Sequence, residues 1–162
     1  MPLAYGKHSP QEMLAKAERD LAHLEAAEAA QKRDELSDAL FNLAVSLTSV
    51  KDWLKEQTNA PFTRASVESY VSASVALSSF RNIANAGKHR VIRKYVPTTQ
   101  DVAASAIFVV LKTPNTSEVH ASSGLFRLKI IRADGSRYRA VELGRVAVQE
   151  WKSFMRRYAL IA

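Results

Sequence analysis

Hydrophobic positions recur at helical spacing through the first half of the chain and at strand spacing through part of the second. Leu14, Ala17, Leu21, Leu24 and Ala27 return every three or four residues, which draws one apolar stripe along an otherwise charged helix. Ser9-Pro10-Gln11-Glu12 precedes them, with serine as N-cap, proline in the first helical position and glutamate placed to complete a capping box. A second stripe follows Gln31-Lys32-Arg33-Asp34: Leu36, Leu40, Leu43, Leu47, Val50 and Leu54, widened by Phe41, Val45 and Trp53. Two antiparallel helices with a short break between them are predicted, and one long bent helix is the alternative. Gln57-Thr58-Asn59-Ala60-Pro61 breaks the pattern, and Thr63 or Ser66 is placed to cap a third helix. That helix carries Val67, Tyr70, Val71, Val75 or Leu77, Phe80, Ile83 and Ala84. It is expected to end at Asn85-Ala86-Gly87, because glycine takes the left-handed C′ conformation at little cost.

After Pro97 the period changes. Ala106 to Leu111 is a short β-branched run that reads as a buried strand. Leu125 to Ile131 and Arg137 to Val141 flank Ala133-Asp134-Gly135-Ser136, and Asp-Gly is a strong hairpin turn. Phe126, Leu128 and Ile130 alternate with Arg127 and Lys129, while Tyr138 and Ala140 alternate with Arg137 and Arg139. A register that pairs like faces makes one side of the hairpin apolar and the other cationic. From roughly Leu143 to Ile161, a terminal helix places Ala147, Trp151, Phe154, Tyr158 and Ile161 on one face, suited to the apolar side of the hairpin. The expected architecture is α+β, mainly α: a three-helix bundle over 1–96, then a small antiparallel sheet and a C-terminal helix over 97–162, packed with the bundle as one unit.

At 162 residues, with 47% hydrophobic and 24% charged residues, the chain has the size and composition of a folded domain. It contains no cysteine, which excludes disulfides, thiolate metal sites and a cysteine nucleophile. No run approaches the roughly 18 apolar residues of a membrane helix, and the N-terminus lacks a signal-peptide pattern, so a cytoplasmic protein without a membrane partner is expected. The net charge of +7 favours polyanions, and basic residues outnumber acidic ones only after Pro61, so such a contact is expected in the second half. The four histidines are scattered, and phosphate-loop, zinc-binding and nucleophile-elbow signatures are missing. Neither a metal nor a cofactor is expected.

One stretch gathers chemistry-bearing residues: Phe80 to Arg90, FRNIANAGKHR. Arginine forks two donors toward a phosphate, histidine passes protons near neutral pH and lysine adds charge. These are the groups that metal-independent RNA cleavage needs. Arg81, Asn82 and His89, late in a helix of a bundle, resemble the motif of the HEPN superfamily, helical and often dimeric proteins of which many are ribonucleases. The resemblance spans Ser9 to Val96 and implies a homodimer with His89 as proton-transfer group, Arg81 as phosphate and transition-state stabiliser and Asn82 orienting one of them. Seven residues, Asn82 to Lys88, separate Arg81 from His89, more than the family usually has. Along an unbroken helix, the step from Arg81 to His89 is a rise of about 12 Å and a rotation of roughly 80°. The two therefore meet only if the chain folds back at Gly87 or a second subunit contributes. The stretch is also similar to bacterial and phage proteins of no assigned activity that share an Arg-Asp/Asn-x-x-Asn-x-x-Lys-His pattern.

Two further readings stand beside the nuclease. Asn85 and Gly87 cap the helix while Lys88, His89 and Arg90 neutralise its terminal carbonyls, or Asn85, Lys88 and His89 form a binding corner without catalysis. The hairpin cations Arg127, Lys129, Arg137 and Arg139 are a second candidate site, either for phosphates or as charge that protects an edge strand. The leading expectation is a non-enzymatic bacterial or phage module that binds a partner or polyanion as a homodimer. The partner is RNA before DNA, or an acidic protein, and the alternative is a ribonuclease.

Overall fold

The computed structural model of the protein describes residues 9–88, 108–111 and 127–162. Five helices and a three-stranded sheet occupy these residues: α1 (Pro10–Ala29), α2 (Arg33–Lys55), α3 (Arg64–Ala73), α4 (Val75–Lys88), β1 (Phe108–Leu111), β2 (Leu128–Ile131), β3 (Arg137–Arg139) and α5 (Ala140–Arg157). The fold is α+β and mainly helical, with an antiparallel sheet and a C-terminal helix.

Ser9 caps α1 as its sequence demands: its backbone is extended and its Oγ accepts from the Glu12 N–H at 3.2 Å. Between α1 and α2 the chain reverses at Gln31, which takes a positive φ of 58°, and the Lys32 N–H donates to the Ala27 carbonyl at 3.1 Å. That tight turn makes the two helices antiparallel. A polar cluster ties them midway along their length, where Lys16 Nζ donates to Asp20 Oδ2 at 2.6 Å and to Ser46 Oγ at 2.8 Å, and Ser46 Oγ donates to Asp20 Oδ2 at 2.5 Å. Thr63 and Ser66 then close a reciprocal capping box at the head of α3.

The third predicted helix is two helices. The chain leaves helical geometry at Ser74, where φ is −84° and ψ is 127°. Ser74 Oγ accepts from the Leu77 N–H at 2.9 Å and donates to the Glu150 carboxylate of α5. One residue thus caps α4 and binds another element, and the Tyr70 hydroxyl adds a bond to the Glu150 carbonyl at 2.8 Å. Burial and the Glu150 carboxylate hold the Tyr70 phenol above its ordinary pKa. A carboxylate beside the first turn of α4 also complements the helix dipole. The predicted end at Asn85-Ala86-Gly87 is corrected as well, because α4 continues through Lys88. A helical glycine costs about 1 kcal/mol relative to alanine, which does not by itself end a helix flanked by Ala84 and Ala86.

The sheet has the order β1-β2-β3 with every pair antiparallel. Along β2, Leu128 and Ile130 are buried and Lys129 is exposed, the alternation expected of a strand covered on one side. The last strand ends at Arg139 rather than Val141, and the helix begins at Ala140 rather than Leu143. Ala140, Val141, Leu143, Gly144, Ala147, Val148, Trp151, Phe154 and Met155 are all buried, so helical spacing already governs the residues that would have extended the strand.

One core runs through both predicted parts of the chain, joining residues of α1, α2, α3 and α4 to Leu128, Ile130 and the inner face of α5. The leucine stripes of α1 and α2 are buried within it, with Val45 and Trp53 packed against it, whereas Phe41 of the predicted α2 stripe is exposed. Phe62, Tyr70, Trp151, Phe154 and Tyr158 form a continuous aromatic cluster with centroids 4.9 to 6.0 Å apart, and Trp151 Nε1 donates to the Leu47 carbonyl at 3.1 Å. At Gly144 the packing is tight: a Cβ there would lie 3.0 Å from both Leu21 Cδ1 and Leu43 Cδ2 and 3.7 Å from Phe80 Cζ. Gly144→Val is expected to lower stability by about 1–3 kcal/mol through overpacking, read as a reduced urea midpoint. Val146→Ala, at an exposed position two residues along the same helix, is expected to stay within about 0.5 kcal/mol of the wild type.

Candidate nucleic-acid interface

The register of β2 and β3 decides where the hairpin cations lie. Lys129 pairs with Arg139 and Ile131 with Arg137, while Ile130 pairs with Tyr138. Directly paired residues share a face and alternate residues return to it, so Arg127, Lys129, Arg137 and Arg139 belong to the side of the hairpin opposite buried Leu128 and Ile130. Arg127, Lys129 and Arg137 are exposed. Among the described residues, no acid forms an ion pair with any of these three. Lys16, Lys32, Lys51, Lys55, Arg64, Arg139, Arg145 and Lys152, by contrast, each hold a carboxylate within 4.0 Å.

Arg139 therefore stands apart from its three neighbours. It donates to Glu28 Oε1 at 2.6 Å and to Glu142 Oε1 at 2.7 Å, and the hydrogen bond it donates to Glu28 comes first in holding its guanidinium even more firmly charged than usual. Glu28 is largely covered, with its side chain 12% exposed. Its second oxygen, Oε2, and Arg139 Nε are buried without hydrogen-bond partners among the described residues, a costly arrangement for a polar pair. Beside them lies a cavity of about 260 Å³ lined by Glu25, Glu28, Arg127, Arg139 and Arg145, with Ala29, Gln31 and Val141 completing the wall. Arg145 Nε donates to Glu25 Oε1 at 2.7 Å across it.

The turn is built by three residues. Gly135 has a φ of 82°, where a side chain is strained, and its N–H donates to the Arg132 carbonyl at 2.9 Å. Asp134 Oδ1 accepts from the Ser136 N–H at 2.8 Å and from Ser136 Oγ at 2.5 Å. Arg132 then anchors the hairpin to α4, its Nη1 donating to the Val75 carbonyl at 2.9 Å, to Ser79 Oγ at 2.9 Å and to Ser78 Oγ at 3.2 Å.

The other predicted site lies along α4. Arg81 is half-buried and its Nη1 donates to Ser72 Oγ of α3 at 3.1 Å. Asn82 is half-buried on the same helix and Asn85 is exposed. Lys88 closes α4, whereas His89 and Arg90 lie outside the described residues. Helix continues where the nuclease geometry asked for a reversal at Gly87, so Arg81 and Lys88 are separated by about 10 Å of rise. Among the described residues no group of histidine and carboxylate side chains is arranged to hold a metal ion, and no helix is long and apolar enough to cross a membrane.

Arg132, Arg145, Glu25 and Glu28 were not singled out by sequence reasoning. Arg132 follows the strand pattern of β2 without interruption, and the two glutamates sit on a charged helix face far from the hairpin in sequence. Only the juxtaposition of the end of α1 with β3 and α5 gives them a role. Comparison of the chain with protein-family models, with curated proteins and with solved structures finds no match in any of the three.

The hydrogen bonds from Ser136 hold the Asp134 carboxyl below its ordinary pKa. A folded pKa depressed below the unfolded one contributes stability above the unfolded value and loses it as pH falls through the folded value. NMR titration is expected to show Asp134 ionised below the ordinary aspartate range near 3.9. Ser136→Ala is expected to return it toward that range and make the turn amides exchange faster at acid pH.

Proposed function

We propose that this protein is a non-catalytic module that binds single-stranded nucleic acid, RNA above DNA, on the outer face of its hairpin. The observation that carries this reading is the set of three exposed cations on one face of the hairpin, Arg127, Lys129 and Arg137, which have no acidic partner among the described residues, where eight other cations do. Alternate residues on a strand lie about 7 Å apart, so the hairpin presents a row of point charges on a scaffold fixed from below by Leu128 and Ile130. A single-stranded backbone can follow such a row, and its bases stay available for other contacts. One copy of the chain supplies the whole face. The ribonuclease alternative assigns His89, Arg81 and Asn82 to cleavage, and it enters the test as a separate outcome.

Three phosphate contacts on a single strand correspond to a slope of log K against log salt near −2 (~0.7 per contact). Fluorescence anisotropy with a labelled mixed-sequence RNA is expected to show this slope. Arg127→Ala, Lys129→Ala and Arg137→Ala are each expected to weaken binding about fivefold at low salt, equivalent to about 1 kcal/mol, and to reduce the slope by about 0.7. Arg64→Ala, removing a cation paired with Glu56 on α3, is expected to leave both unchanged. Binding that is indifferent to all three hairpin substitutions would sink the reading. RNA incubated with the protein in EDTA is expected to stay intact. Products ending in cyclic phosphate that vanish in Arg81→Ala and His89→Ala would replace the module with the nuclease.

A further inference from the structure

We infer that the cavity beside the basic face holds one unstacked base of the bound strand and that guanine is the base it fits. This rests on the reading of the hairpin face as an RNA surface. Arg127 and Arg139 belong both to that face and to the cavity wall, so a strand lying on the cations passes the opening. At about 260 Å³ the space is below the roughly 300–1,000 Å³ of sites that enclose drug-sized ligands, and it suits a single ring system.

The lining is not that of a phosphate site. Glu25 and Glu28 stand among Arg127, Arg139 and Arg145, so carboxylate acceptors and guanidinium donors face one volume. A phosphate offers acceptors alone and would leave the two carboxylates without a donor. Guanine, alone among the four RNA bases, presents two adjacent donors, N1–H and the N2 amine, to a carboxylate and two adjacent acceptors, O6 and N7, to a guanidinium. Adenine and uracil present neither edge, and cytosine, whose adjacent acceptors are N3 and O2, lacks the paired donors.

The pair between Arg145 and Glu25 is the part of the lining that can change partners. It joins side chains that are 60% and 36% exposed, and a pair of that kind adds little stability and opens easily. Glu28 and Arg139 already hold each other, with Glu28 Oε2 and Arg139 Nε closed off from solvent, so these two shape the wall and do not exchange partners. Arg127 brings a third guanidinium with no acid among the described residues. A base entering the cavity exchanges the weak Arg145–Glu25 pair for two edges recognised at once.

The test uses the full chain and labelled RNA octamers read by anisotropy. One is all adenosine, and three others carry a single central guanosine, cytidine or uridine. The guanosine octamer is expected to bind about tenfold more tightly than the other three. Replacing that guanosine by inosine, which lacks the N2 amine, or by 7-deazaguanosine, which lacks N7, is expected to remove most of the gain. These analogues carry the test on the unaltered protein, since Glu28 also holds Arg139 in place. Glu25→Gln is expected to bring the guanosine-to-adenosine affinity ratio to about one. Equal affinity for the four octamers, with normal salt dependence, overturns the base site and leaves the basic-face reading standing. Absence of binding to every octamer, with guanosine monophosphate also failing to shift the amide resonances of Ala29 and Val141, overturns both. Shifts by guanosine monophosphate but not adenosine monophosphate, without octamer binding, retain the cavity and remove the face.

Discussion

The burial of one face of α5 is the constraint on which the rest of the molecule depends. Ala140, Gly144, Ala147, Trp151 and Phe154 run down that face, all buried. Gly144 lets α5 approach the leucines of α1 and α2 as closely as side chains permit. Trp151 spends its indole N–H on the Leu47 carbonyl, and Phe154 joins aromatics from the α2–α3 connection, α3 and the C-terminal end of the chain. Without α5, Leu128 and Ile130 would lack much of their cover and the hairpin would be a two-sided ribbon, marginal in water. The site is thus held in place by packing some distance from it.

Polar groups place what the core has gathered. Glu150 receives the Ser74 hydroxyl and, through its carbonyl, the Tyr70 hydroxyl, which sets the angle between α3 and α4. Arg132 fixes the hairpin tip to the first turn of α4, and Arg139 fixes its base to the end of α1. Among the described residues, the remaining hairpin cations Arg127, Lys129 and Arg137 carry no acidic partner. Arg139, paired with a largely covered glutamate, and Arg137, exposed, stand two residues apart in β3.

Much of the fold is legible in local sequence because the signals are local. The capping residues Ser9 and Thr63, the leucine periods of α1 and α2, and the Asp134-Gly135 turn specify their conformations through neighbours within a few residues. The break at Ser74 was not foreseen because the stripe from Val67 to Ala84 continues across it in helical register, while its cause, Glu150, is distant in sequence. Gly87 misled for the opposite reason, since a residue that can end a helix does not oblige it to end. The site was legible in part. Alternation placed four cations on one face, but only the three-dimensional arrangement shows that Glu28 claims Arg139 and that Glu25 and Arg145 join Arg127 around a cavity.

The junction of β3 and α5 has a kinetic consequence. Arg139 is the last residue of the strand and the residue before the first turn of the helix, so no loop separates the cationic face from the longest lever of the C-terminal part. The hairpin cannot swing as a lid without dragging α5 out of the core. On the proposed reading, encounter with a polyanion is close to rigid docking, its rate set by long-range attraction and by salt rather than by the frequency of an opening motion. Differences in residence time between ligands would then fall to side chains at the cavity, where acids and arginines meet.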